Sequence, residues 1–213
     1  MREIPDSLRS KLDAAARVFA SHGFDATRIE DLADATGVPK ATLYYYFTGK
    51  EEILAHLLGT MLEVIRDEVK EASSGTGPAR QRLERVVRAQ LDVMAAHPDS
   101  CTALISELGR AGRMPETSAA INEAFHAPVR ALLVDGAADG TLHAVANPEA
   151  AASVIFGAVT FAGLHEIVAT GVLDADRLAG QVLSLLLDGL AGDVTDAASP
   201  VNRRSRRSSP RRR

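Results

Sequence analysis

The six histidines and the single cysteine are the residues best suited to metal binding or nucleophilic chemistry, and their spacing supports neither. His22, His56, His97, His126, His143 and His165 form no i, i+4 pair, and no neighbouring cysteine completes a ligand set. Cys101 follows an expected helix start, where a thiol is acidified, but no base accompanies it and packing is the simpler role. A glycine-rich phosphate loop is also missing, so no catalytic residue, cofactor or metal is expected. What remains is "GVPKATLYYYFTGKEE", Gly37 to Glu52, which holds all three tyrosines of a chain without tryptophan. A tyrosine joins a rigid flat body to one hydroxyl. It can lie along a thymine methyl or a sugar while bonding a phosphate oxygen. Beside Lys40, Thr42 and Lys50, that chemistry points to nucleic acid.

The elements that must position these residues read as helices throughout, because apolar residues recur at three and four and no alternating strand run occurs. The fold class is all-α. Leu8, Leu12, Ala15 and Phe19 form the inner stripe of a first helix ending near His22-Gly23. In Thr27-Arg28-Ile29-Glu30 a capping box starts a second helix, with Thr27 as the cap and Glu30 reaching back. Thr36-Gly37 breaks it, and a third short helix spans about Pro39 to Tyr46. Two short helices joined by a glycine-bearing turn of three to four residues have helix-turn-helix spacing. Gly37 then allows the turn, Val38 packs inward, and Leu43 and Phe47 face a core with Phe19 and Leu32. Lys40, Thr42, Tyr45 and Tyr46 are expected on the opposite face, Tyr46 foremost for a base or sugar contact and Tyr44 shared between packing and phosphate.

The run "TRIEDLADATGVPKATLYYYFTGKEEIL" resembles the DNA-binding domain of TetR-family transcriptional regulators, whose recognition helix closes with Leu-Tyr-x-x-Phe-x-x-Lys, matched by Leu43, Tyr44, Phe47 and Lys50. The resemblance covers roughly residues 8 to 55. It implies an all-helical homodimer with a small N-terminal reader and a larger C-terminal domain that binds an effector and pairs with its twin. It also implies that Tyr44 and Lys50 hold the DNA backbone and that Thr27 and Arg28 grip another phosphate. Pro39 departs from the family pattern, because it stands where a hydroxyl-bearing cap is usual.

Downstream, the stripe of Ile53, Leu54, Leu57, Leu58, Met61 and Ile65 marks a long connector helix. Pro78 starts the next, striped by Leu83, Val87, Leu91 and Met94, and His97-Pro98-Asp99 ends it. Helices follow from about Ser100 to Arg110 and from Glu116 to Ala138, where Pro128 must interrupt the ladder. Asn147-Pro148-Glu149 and Asp174 open the last two. Their apolar faces, with Val154, Ile155, Ala158, Phe161 and Ala162 on one and Val182 and Leu186 on the other, fit a four-helix dimer interface or monomer core. Met94, Leu104, Leu108, Met114, Ile121 and Phe125 are the expected lining of an effector pocket, with Glu107, Arg110 and His126 as polar groups. A lipophilic effector is expected, its anionic head held by Arg110 or Arg113.

The expected divisions are residues 1–50 for the reader, 51–192 for effector binding and dimerisation, and 193–213 for a disordered Arg-rich tail. The formal charge of -4 hides a polarity: seven of the 24 basic residues lie at or after Arg203, leaving 17 against 28 acidic ones, or -11, before it. Such a body repels DNA at long range, so binding needs a local patch or the tail. No apolar run approaches the roughly 18 residues that span a bilayer, and the N-terminus lacks a signal-peptide pattern. A cytoplasmic protein without a membrane partner is expected. These features support a ligand-responsive regulator, most simply a repressor, that binds palindromic double-stranded operator DNA. A helical carrier or sensor that has lost DNA binding fits the same helices.

Overall fold

The computed structural model describes residues 4–111 and 115–189, without the side chains of residues 107–111, 115 and 116. Among the described residues the regular structure is helical: α1 (Asp6–Ala26), α2 (Ile29–Thr36), α3 (Lys40–Tyr46), α4 (Lys50–Ser74), α5 (Ala79–Ala96), α6 (Pro98–Ala111), α7 (Pro115–Ile121), α8 (Ala127–Ala138), α9 (Pro148–Thr170) and α10 (Ala175–Asp188). The expected tail from residue 193 lies outside the described residues.

The buried side chains form one continuous cluster from Ile4 to Leu183. It crosses the expected boundary at residue 50, because α4 packs against both α1 and α5. Phe47, Leu12, Leu32, Leu43 and Ile53 are among its fully buried members, each contributing about 1.5–3 kcal/mol by burial.

Several boundaries differ from the sequence reading. α1 does not stop at His22-Gly23 but continues to Ala26 across a kink at Gly23, whose φ of 72° only glycine adopts readily. The capping box sits one residue later than expected: Asp31 Oδ2 accepts from the Arg28 N–H at 2.9 Å, while the Thr27 hydroxyl donates to the Gly23 carbonyl at 2.7 Å. Only His97 separates α5 from α6, with Pro98 as the first helical residue, where its missing N–H costs nothing. Pro128 does interrupt its ladder: a π turn, Asn122–His126, precedes it, with the Ala127 N–H bonding the Asn122 carbonyl. Asn147 and Asp174 cap α9 and α10 as expected, accepting from the Ala150 and Arg177 N–H groups at 3.1 Å.

By length and composition alone α9 could cross a membrane, although the sequence reading found no apolar run near that length. Its outer side carries Val154, Ala158, Phe161, Val168 and, just past its end, Val172, of which Phe161 is 59% and Val168 72% exposed. Helical spacing of three and four puts these on one stripe.

Candidate functional site: a tyrosine face and an internal cavity

Gly37, in the left-handed region at φ 64°, turns the chain between α2 and α3. Thr36 locks that turn, its hydroxyl donating to the Leu32 carbonyl at 2.7 Å and accepting from the Val38 N–H at 3.3 Å. Val38, Leu43 and Phe47 are buried with Leu32 and Phe19, as the spacing predicts. Pro39 leaves α3 without a side-chain cap, and only its carbonyl is used, by the Thr42 and Leu43 N–H groups. Glu52 ties the end of α3 to α4: its Oε2 accepts from the Thr48 N–H at 2.7 Å and hydroxyl at 2.9 Å, which holds its carboxyl below the usual range.

This frame exposes two tyrosines, Tyr44 at 53% and Tyr45 at 60%. Tyr46, expected foremost at the groove, is half-buried against the core and meets the Tyr45 ring edge-on at 4.9 Å. The reason is its position three residues after Leu43, which places it on the inward side. Lys40 is exposed and ion-paired with Glu30 of α2, which raises its pKa and lowers that of Glu30 through their hydrogen bond. Thr42 is half-buried and Arg28 exposed at the start of α2.

Two residues expected at phosphates are engaged inside the protein. Thr27 is buried, its hydroxyl spent on Gly23. The Lys50 ammonium donates to the carbonyls of Phe24, Asp25 and Thr27 at 2.8, 3.1 and 2.9 Å and sits 4.5 Å over the Phe24 ring. An ammonium has three donors, so none is left for a phosphate. Lys50 satisfies the carbonyls at the end of α1, where a cation also meets the negative helix end.

The second feature is a small cavity of about 20 Å³ between α4, α5, α6, α7, the π turn and α9. Met94, Leu104, Ile121 and Phe125, named in the sequence reading for an effector pocket, are among the residues that line it. His126 lies beside it, its ring edge-on to Phe156 at 5.1 Å, and burial lowers its pKa. The side chains of Glu107, Leu108 and Arg110, and all of Arg113 and Met114, lie outside the described residues. Sequence reasoning missed Gln90 and Thr160, the cavity's two polar neighbours, whose side chains meet at 3.1 Å. A signal was present: Gln90 interrupts the apolar stripe of α5 between Val86, Val87 and Met94. Cys101 also lines the cavity, 4.0 Å from Met61 Sδ, and burial pushes its thiol up to about 12, which suits packing.

Of the expected dimer residues, Ile155 and Val182 are buried within the chain, Ala158, Ala162 and Leu186 are half-buried, and Val154 and Phe161 are exposed. Val168, Val172 and Leu185 extend the exposed apolar surface beyond the expected set. Among the described residues no group of three or more His, Cys, Asp or Glu is placed to hold a metal.

Two family profiles match the chain, "Bacterial regulatory proteins, tetR family" over residues 12–57 and "Tetracyclin repressor-like, C-terminal domain" over residues 76–190. The chain is 27% identical over 191 residues to the fatty acid metabolism regulator protein of Bacillus subtilis, covering 84% of this chain and 93% of that one. It is 27% identical over 182 residues to the HTH-type transcriptional repressor KstR2 of Rhodococcus jostii, covering 84% and 89%. Among solved structures, the fold is similar to that of FadR from Bacillus subtilis in complex with stearoyl-CoA, with a TM-score of 0.71 at 22% identity over 86% of this chain and 99% of that one. A helix-turn-helix that exposes tyrosines, a helical body around an apolar cavity, and both family profiles agree: the chain belongs to the TetR family of transcriptional regulators.

Proposed function

We propose that the chain is a homodimeric repressor that binds a two-fold operator and releases it when a lipophilic small molecule enters the cavity. Residues 1–50 serve as the reader and 51–192 as the body that senses and pairs. In the reader, Tyr44, Tyr45, Tyr46, Lys40, Thr42 and Arg28 meet DNA, with Lys40 exchanging Glu30 for a phosphate, while Thr27 and Lys50 hold the frame behind them. In the body, the exposed stripe of α9 with Leu185 of α10 packs against the same surface of a second copy. A protein partner suits this stripe better than lipid, because the other side of α9 is part of a folded core.

The observation that carries this reading is that α6 belongs to both sites. Cys101, Leu104 and Ile105 of α6 line the cavity, while α6 also packs against α1 of the reader, and Arg17 of α1 bonds Asp99 of α6 at 3.1 Å. Ligand pockets usually measure about 300–1,000 Å³, so a cavity of 20 Å³ must open to admit one. Opening displaces α6 and with it α1, which changes the spacing of the two readers against successive major grooves. Effector and operator then bind with reciprocal antagonism. The names of similar proteins, a fatty acid metabolism regulator and, among solved structures, the ketosteroid transcriptional regulator KstR2 of Mycobacterium tuberculosis, support a lipophilic effector.

The test is selection of genomic fragments by the purified chain near physiological salt, followed by footprinting. A two-fold-symmetric protected site, released by a long-chain acyl or steroid compound, is the expected result. Retention without a shared sequence would overturn the operator reading and favour a carrier.

A further inference from the structure

We infer that the effector carries an uncharged hydrogen-bond donor on the part it buries, and that the side-chain carbonyl of Gln90 reads it. The inference rests on the ligand-responsive reading above and gives its cavity a chemical preference. Gln90 is 3% exposed on α5, and its Nε2 donates to the Thr160 hydroxyl of α9 at 3.1 Å. Its Oε1 is buried beside the cavity with no protein group bonded to it.

Three alternatives for the buried end of a ligand can be compared. A carboxylate would face the Gln90 amide oxygen, and among the described residues no lysine, arginine or histidine lines the cavity to neutralise it. A wholly apolar end would leave the amide oxygen stripped of water and unpaired. A hydroxyl or N–H satisfies Gln90 Oε1 while the rest of the molecule meets Leu62, Ile65, Met94, Leu104 and Phe156. The 20 Å³ beside the amide is room for about one water, the place such a donor takes.

The test uses the full-length chain and three probes that share a ten-carbon chain: 1-decanol, its methyl ether, and decanoate, with binding followed by calorimetry and operator release by footprinting. The alcohol is expected to bind about tenfold more tightly than the ether, which has the same chain but no donor. In Gln90→Met the two should come within about twofold, while the ligand-free chain melts at a somewhat lower temperature because the buried Thr160 hydroxyl loses its partner. Thr160→Val keeps Gln90 but frees its amide to rotate, and should narrow the preference without abolishing binding, which keeps the idea testable if Gln90→Met fails to fold. Equal binding of alcohol and ether, a preference that survives Gln90→Met, or tightest binding of decanoate would overturn the inference while leaving the lipophilic-effector reading in place. If no probe binds or releases the operator, that reading falls and this inference with it.

Discussion

Lys50 has three donors, and three carbonyls at the end of α1 take them. Lys50→Ala is therefore expected to destabilise the chain by about 1–2 kcal/mol and to weaken operator binding by loosening the frame. Because no phosphate contact is lost, the slope of log affinity against log salt should stay unchanged, whereas loss of a phosphate-binding lysine lowers it by about one. Titration at several salt concentrations decides between the two. His56 makes a different prediction. It packs at 5.9 Å on the Phe47 ring, and burial lowers its pKa, helped by Arg9 and opposed by Glu63 and Asp13. Its charged form is thus favoured in the unfolded chain. Stability is full above the unfolded value near 6.5 and is lost as pH falls through the lower folded value. The thermal midpoint should drop on acidification below about pH 6.5, and less so in His56→Gln. The tyrosines show how far single residues were legible. Tyr46 stands three residues from Leu43, so its inward turn was readable from periodicity, yet it was the tyrosine expected foremost at the groove.

Among the elements, α9 approaches α5 closely at Gly163, where an added Cβ would come within 2.6 Å of Met94 Cε and 3.2 Å of Leu91 Cδ2. The nearest atom is the far end of a flexible thioether that also lines the cavity. Gly163→Ala should accordingly push Met94 into the cavity. Folding stability is expected to stay within about 1 kcal/mol of wild type, the helix propensity gained by alanine offsetting the repacking. Effector-induced stabilisation should shrink at the same time, read as a smaller shift in thermal midpoint at saturating ligand. Helix starts were legible where the cap is local, as at Asn147 and Asp174. They were illegible where it is remote: Pro78 does begin α5, but the Ala79 N–H is met by Asp139 Oδ2 at 2.9 Å and the Arg80 N–H by Thr141 Oγ1 at 3.3 Å, from a turn some sixty residues away.

Across the molecule, pairing of two copies determines whether two readers can reach one operator. Phe161 and Val168 lie at the centre of the exposed stripe, so Phe161→Glu with Val168→Glu should bury two charges at the proposed interface without disturbing the chain's own core. Light scattering should then give the 22.6 kDa of a single chain instead of twice that mass. Operator affinity should fall by about a hundredfold or more, because two linked half-site contacts become one. An unchanged mass would place the interface elsewhere.

The sequence by itself determined the helical class, the helix-turn-helix and the inward set of Val38, Leu43 and Phe47, because these depend on periods of three and four and on one left-handed glycine, all local. It also exposed the family, through four residues in a fixed pattern. Only the tertiary structure decided which cations are available and which polar groups are buried without partners. Lys50 meets carbonyls 23 to 26 residues before it, and Gln90 meets Thr160 70 residues after it. A side chain's chemistry is set by what surrounds it in space, and for both residues those surroundings come from helices distant in sequence.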